Sequence, residues 1–265
     1  MKRFIPFVKS EPRVSVLRLQ GIIATAGRGR LNDATLAPMI EKAFRRGRPD
    51  AVALVINSPG GSPVQSSLIA ARIRRLADEK KIPVLAFVED VAASGGYWLA
   101  TAADEIFADP SSIVGSIGVI SSSFGLNKFI NRHGIERRVH TAGNSKSMLD
   151  PFQPEKPEDV ARLGAIQERV HRSFIEQVQA RRGQRLAENG ELFTGEVWVG
   201  EAARAVGLID GIGHVVPKMK ERFGDKVRLV PYQHRRPFLG RFAAGLTADL
   251  AAEIEARAAY ARFGL

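Results

Sequence analysis

The feature that most constrains this chain is the alternation of short, uninterrupted apolar runs with segments of helical period. Val14-Ser15-Val16-Leu17-Arg18-Leu19 and Ala51-Val52-Ala53-Leu54-Val55-Ile56 have the length and composition of strands, and a helix is expected near Leu36 to Arg46 between them. That order is a βαβ pattern. It continues with a turn at Asn57-Ser58-Pro59-Gly60-Gly61, a helix from Ser66 to Glu79 with Leu68, Ile69, Ile73 and Leu76 on one face, and a buried strand at Val84-Leu85-Ala86-Phe87-Val88. Glu89 to Ala93 lead out of that strand, and Ser94 to Ala103 suit a small-residue helix, so Ser94 falls where strand gives way to helix.

Further along, Ile106-Phe107-Ala108, Val114 to Ile120 and Val139-His140-Thr141 read as extended segments. Pro151, Pro154 and Pro157 punctuate a loop. Glu158-Asp159 then open a long helix carrying Val160, Leu163, Ile166, Val170, Phe174 and Val178, which Gly183 ends. Another helix is expected from Glu196 to Val206, and a last strand at Val227 to Val230. Beyond Pro231, Leu239, Phe242, Leu246, Leu250 and Ile254 form an apolar stripe on an Ala-rich helix preceded by Arg235, Arg236 and Arg241. Such a stripe packs on the body or on another subunit, with peripheral attachment to a membrane surface as the alternative.

Composition narrows the chemistry. With 265 residues, 45% of them hydrophobic, the chain can bury a sizeable core as one large domain. The absence of cysteine removes disulfides, thiolate nucleophiles and cysteine-ligated zinc. A net charge of +11 comes mostly from short arginine groups such as Arg72-Arg74-Arg75 and Arg181-Arg182. No run reaches five like charges and no aromatic residues interleave with them, so the reading is a solvated basic surface and not a nucleic-acid site. Met1 to Lys9 lacks the apolar h-region of a signal peptide, and the longest uncharged stretch, Val91 to Ala103, falls short of the roughly 18–20 residues that span a bilayer. A cytoplasmic or peripherally membrane-associated protein, with no transmembrane helix, is expected.

Ala92-Ala93-Ser94-Gly95-Gly96-Tyr97-Trp98 is the candidate catalytic segment. A serine hydroxyl is a weak nucleophile that needs a base and N–H donors for the oxyanion formed on attack. Gly95 and the Gly60-Gly61 pair can offer such donors. The competing reading is a helix-capping serine. The segment also departs from the G-x-S-x-G elbow, because Ala92 stands at the first glycine. The histidines, His133, His140, His171, His214 and His234, show neither motif nor metal spacing. Lysine serves as a base only where burial lowers its pKa. Lys146, among Gly143, Asn144, Ser145, Ser147, Met148 and Leu149, has a small and partly apolar sequence setting compatible with that role.

Taken in order, Asn57-Ser58-Pro59-Gly60-Gly61, Ala93-Ser94-Gly95-Gly96-Tyr97, Gly115-Ser116-Ile117-Gly118-Val119, Gly143-x-x-Lys146 and the late Phe193-Thr194-Gly195 through Gly207-Leu208-Ile209-Asp210 resemble the S49 peptidases, the signal peptide peptidase A and SohB family. The resemblance covers residues 12 to 216. It implies an α/β fold of the ClpP/crotonase type, with repeated ββα units and a parallel sheet. Residues 1–230 would form the peptidase domain and 231–265 a C-terminal amphipathic helical extension. It also implies peptide hydrolysis by a Ser-Lys dyad, with Ser94 as nucleophile and Lys146 as base. Gly61 and Gly95 match the oxyanion donors, and Gly115, Ser116, Ile117 and Gly118 border the substrate groove by analogy. No metal or organic cofactor is called for. Short members of the family form rings in which a neighbour supplies the lysine, so a homo-oligomer, with an octamer as one candidate, is expected to act on short or unfolded peptides. Signal-peptide remnants are one such substrate class, although many relatives carry an N-terminal membrane anchor not found here. Two other readings share the fold: a crotonase-like acyl-CoA enzyme, which would need a carboxylate base, and a non-catalytic membrane-organising scaffold.

Overall fold

The computed structural model describes residues 11–27, 29–143, 145–188, 190–233 and 246–265, with side chains of the last segment from residue 254 onward. The expected N-terminal arm and the stripe residues Leu239 and Phe242 lie outside these, as do the side chains of Leu246 and Leu250. Ile254, the remaining stripe residue, is exposed. No helix among the described residues is long and apolar enough to cross a membrane.

The sequence-expected α/β alternation is realised as β1 (Arg13–Gln20), α1 (Asp33–Arg45), β2 (Ala51–Ser58), α2 (Pro63–Lys80), β3 (Val84–Ala93), α3 (Gly95–Ala100), β4 (Glu105–Ala108) and β5 (Ile113–Gly115). Then come α4 (Asn127–Arg132), α5 (Pro157–Arg182), β6 (Val197–Val199), α6 (Gly200–Ala205), β7 (Gly211–Ile212), α7 (Val215–Phe223), β8 (Arg228–Tyr232) and α8 (Leu246–Ala261). Local chemistry fixes the helix starts. The Asn32 side chain accepts the Thr35 N–H at the head of α1, and Ser62 caps α2 just ahead of Pro63, whose missing N–H costs nothing there.

The chain divides into two compact units, residues 1–117 with 175–265, and residues 118–174. In the first, the strands form one sheet ordered β6-β5-β3-β2-β1-β8, with β4 pairing both β3 and β7. All pairings are parallel except that of β5 with β6. Every residue of β2 is buried, as a parallel strand covered on both faces requires. One face packs Val14, Ala53, Leu85 and Phe107 with Met219 of α7. Leu36, Ile40 and Phe44 of α1 and Ile69, Ile73 and Leu76 of α2 supply further core, each such burial contributing about 1.5–3 kcal/mol before entropy is subtracted.

β3 runs further than its apolar core suggests. Its pairing with β2 shifts between Ile56 and Ser58, so that Ser58 lies opposite Ala92 and Glu89-Asp90 bulge out. The bulge is anchored by a bidentate ion pair from Arg18 to Glu89 (2.7 Å on each arm) and by the Asn57 amide on Asp90. Before the bulge β3 pairs with β4, and after it with β5.

Three expected segments differ. Val114 to Ile120 pairs only as far as Gly115, because Gly115 and Ser116 both take positive φ (107° and 51°) and leave the ladder. The helix expected from Glu196 starts only at Gly200, since Val197–Val199 pair with β5 and Gly200 (φ 45°) turns the chain against the Pro110 carbonyl. Val139-His140-Thr141 forms no strand.

The second unit contains α4 and the first part of α5, joined by a series of turns. Ile130 and Phe174 are its buried apolar side chains, and the Leu126 N–H donates to the Pro151 carbonyl (2.6 Å).

Candidate active site

Ser94 sits at the sharp corner between β3 and α3, with φ 51° and ψ −122°. A positive φ on a non-glycine residue costs about 1–3 kcal/mol, so the surroundings must hold it. They do: its N–H donates to the Gly115 carbonyl (2.8 Å) and its carbonyl accepts the Trp98 N–H (3.0 Å). The side chain makes no capping hydrogen bond to α3. The side-chain capping interpretation of this serine therefore fails. Although the G-x-S-x-G pattern is absent, the backbone makes the same strand-to-helix corner.

α3 is locked from behind by the late motif. Tyr97, fully buried, donates its hydroxyl to the Leu208 carbonyl (2.8 Å), and burial pushes its pKa up, so it remains a donor. Arg182, with a side chain 2% exposed, bonds the Gly207 carbonyl (2.8 and 2.9 Å) and pairs with Asp210 at 2.8 Å. Asp210 also accepts the Ile106 N–H (2.7 Å). The buried charge is thus fully paired, as its desolvation demands. Gly207-Leu208-Ile209-Asp210 is a structural clasp.

The Pro59-Gly60-Gly61 loop follows β2. A Cβ on Gly60 would come within 2.8 Å of Ser94 Cβ, the Gly95 nitrogen and the Ala93 carbonyl, and Gly60 has φ 99°. Only glycine permits this close approach. The Gly61 nitrogen lies 3.4 Å from where a Cβ of Gly95 would stand. The backbone nitrogens of Gly61 and Gly95 thus lie near each other beside Ser94, and neither N–H donates to an acceptor among the described residues. Two donors without acceptors beside a serine are the elements that an oxyanion hole requires. A Cβ on Gly95 would also overlap Ser66 Oγ, which is held on the Ser62 carbonyl (2.9 Å).

Ser94, Gly61 and Gly95 are thus brought together within the first unit. Gly115 and Ser116 adjoin them, with the Ser116 N–H on the Glu196 carbonyl (2.6 Å), and Ile117 is buried next in sequence. Gly118 opens the second unit.

Lys146 also belongs to the second unit, in a run of turns where its N–H donates to the Gly143 carbonyl (3.1 Å). Asp150 is the pivot of these turns. Its carboxylate accepts the Phe152 N–H (3.0 Å) and pairs with Arg137 (3.1 Å), and the Phe152 N–H, ahead of the Arg137 guanidinium, holds its pKa below the usual range. Lys146 itself is exposed. The burial that a lysine base needs is not supplied to it within this single chain.

Residues not singled out from sequence support the site. Ser58 Oγ donates to the Gly21 carbonyl (2.7 Å) and accepts the Gly60 N–H (3.2 Å). Ile23 brackets Gly61: its N–H donates to the Gly60 carbonyl (2.9 Å) and its carbonyl accepts the Ser62 N–H (2.8 Å). The signal for Ser58 was its polar side chain at the end of an otherwise apolar strand; Ile23 gave none.

Known proteins resemble this chain over much of its length. The model of peptidase family S49 matches residues 77–222. The whole chain aligns at 48% identity over 286 residues with a Brucella melitensis protein named Na(+)/H(+) antiporter NhaA, and spans 39% of its length. It is 31% identical over 201 residues to the chloroplastic serine protease SPPA of Arabidopsis thaliana, covering 75% of this chain and 29% of that protein. Among solved structures, it is similar to 1510-N membrane-bound stomatin-specific protease, with a TM-score of 0.51 and 14% identity over 86% of this chain and all of that one. That likeness bears on the fold, which is of the expected ClpP/crotonase type.

Proposed function

From the premise that this chain belongs to peptidase family S49, we propose that it is a serine endopeptidase acting on short or unfolded peptides through a Ser94-Lys146 dyad. The observation that carries the reading is the strained, uncapped Ser94 beside the unspent N–H groups of Gly61 and Gly95. Neutral Lys146 takes the proton of the Ser94 hydroxyl as its oxygen attacks the scissile carbonyl. The N–H groups of Gly61 and Gly95 stabilise the oxyanion. Collapse of the tetrahedral intermediate breaks the C–N bond, and the proton passes from Lys146 to the leaving amine. Water then attacks the acyl carbonyl and gives a proton to Lys146; the C–O bond to Ser94 breaks, and Lys146 returns the proton to the Ser94 oxygen.

The exposure of Lys146 bears on how the base is tuned. A solvated ammonium has no free lone pair, so a covering surface must desolvate it. A homo-oligomer in which a neighbouring subunit contributes Lys146 supplies that surface. This favours a ring over a working monomer.

The test is hydrolysis of a fluorogenic peptide panel by the purified chain, with Ser94→Ala and Lys146→Ala variants and size analysis of each. The expected result is loss of at least about 10⁴-fold in kcat for both variants while the oligomer persists. Cleavage that survives Lys146→Ala near neutral pH removes the dyad, and a parent oligomer that cleaves nothing removes the peptidase reading.

A further inference from the structure

The C-terminal helix reaches the oxyanion loop. Asn57, at the end of β2, accepts two hydrogen bonds on its carbonyl: one from the Gly21 N–H (2.9 Å) and one from the hydroxyl of Tyr260 on α8 (2.8 Å). Its side-chain amide donates to Asp90 in the bulge of β3, and its buried Oδ1 has no partner. Asn57 therefore joins the strand that ends at the oxyanion loop, the strand that ends at Ser94, and α8.

A second attachment lies one turn and a half earlier on the helix. Glu255 pairs with Arg30 (2.6 Å), whose side chain is only 9% exposed. The residue after Arg30, Leu31, exchanges backbone bonds with the segment that brackets Gly61: its N–H donates to the Ile22 carbonyl (2.9 Å) and its carbonyl accepts the Ala24 N–H (3.0 Å). α8 thus holds the loop carrying Gly61 at its start through Asn57, and from the side through Arg30, Leu31 and the Ile22 to Ala24 segment. Partial burial keeps the Tyr260 hydroxyl protonated, with the nearby Asp90 charge acting in the same direction.

We propose that α8 is a clamp on the oxyanion loop, with Tyr260 as a positioning residue that fixes Asn57 and through it the N–H of Gly61. The proposal rests on the reading of Gly61 and Gly95 as the oxyanion donors. Removing such a donor outright costs about 10²–10³ in kcat; letting it drift costs less, because the donor is still present but misaligned.

The experiment compares the full chain with its Tyr260→Phe and Glu255→Gln variants in three readouts. These are kcat and KM on a fluorogenic peptide, affinity for a peptide boronate that forms a tetrahedral adduct, and hydrogen exchange of residues 57–62 against strand residues 84–88. Tyr260→Phe is expected to lower kcat about tenfold with KM within twofold, to weaken boronate binding in proportion, and to speed exchange at 57–62 while 84–88 stay protected. Glu255→Gln should give a smaller change of the same pattern. Unchanged exchange at 57–62 overturns the clamp, as does a loss spread equally over 57–62 and 84–88, which would mark Tyr260 as a general support of the fold. A parent that cleaves nothing and is not captured by the boronate counts against the peptidase reading instead, and the exchange rates then judge the clamp alone.

Discussion

The two compact units handle their apolar side chains in opposite ways. In the first, β2 is buried throughout, both faces of the sheet are covered, and the residues around Ser94 are hydrogen-bonded on every side except the hydroxyl and the two N–H groups that chemistry would use. In the second, Phe124 is 85% exposed, Ile120 68% and Phe129 59%, with Ile135, Val160 and Ile166 also open to solvent. Ser94, Gly61 and Gly95 come together within one unit, whereas Lys146 lies exposed in the other. Exposed large apolar side chains are thus denser along this unit than along the first. The difference teaches that the fold of a single chain fixes Ser94, Gly61 and Gly95 in place and leaves Lys146 in solvent.

Gly60→Ala attacks the finished unit and should have the largest effect. Its Cβ would meet backbone of the nucleophile corner at 2.8 Å, in a conformation with φ 99°. Loss of about 10²–10³ in kcat and about 1–3 kcal/mol of stability is expected from activity assays and thermal melts. Wild-type behaviour in both would break the claim that this corner is held to tight tolerance.

Phe124→Asp combined with Phe129→Asp probes the other unit. The expected outcome is a shift of the assembly toward single chains in analytical ultracentrifugation, with peptide cleavage falling in step while near-ultraviolet dichroism of the sheet unit stays intact. An unchanged sedimentation profile would separate these side chains from assembly.

The smallest effect should come from Asp33→Asn, which touches only the scaffold. Asp33 pairs with Arg72 through both oxygens (2.7 Å each), and that hydrogen bonding depresses its pKa. A depressed folded-state pKa means that the stabilisation is present above the unfolded value, near 4, and is lost as pH falls through the folded value. Wild type should therefore melt a degree or two above the variant at pH 7, with the gap closing as the pH falls below the unfolded value. A gap that widens in acid would reverse the assignment.

Much of the first unit was legible because its strands are unbroken apolar runs and its helices carry caps and stripes. The end of β3 was not, since Glu89-Asp90 break the run and only their partners, Arg18 and Asn57, show that the strand resumes. β6 was read as helix because its short sequence shows no strand period; pairing with β5 decides it. Ser94, Gly61 and Gly95 could be read from motifs, as their neighbours in sequence are also their neighbours in space. Tyr260 could not: it meets Asn57 across a separation of 203 residues, and nothing local in an Ala-rich helix marks one tyrosine. Lys146 was legible as a motif, but its exposure was not, because burial is a property of the fold and the assembly.

The clasp formed by Arg182, Gly207 and Asp210 on Tyr97, together with the pairing of β1 with β8, has a consequence for how the protein is made. A ribosome delivers Ser94 long before it delivers the segment that secures α3 and the strand that closes the edge beside β1. Throughout that interval the Ser94 corner lacks the clasp behind α3, because such long-range pairings form late. The corner at Ser94 is therefore complete only once the segment through Tyr232 has been made.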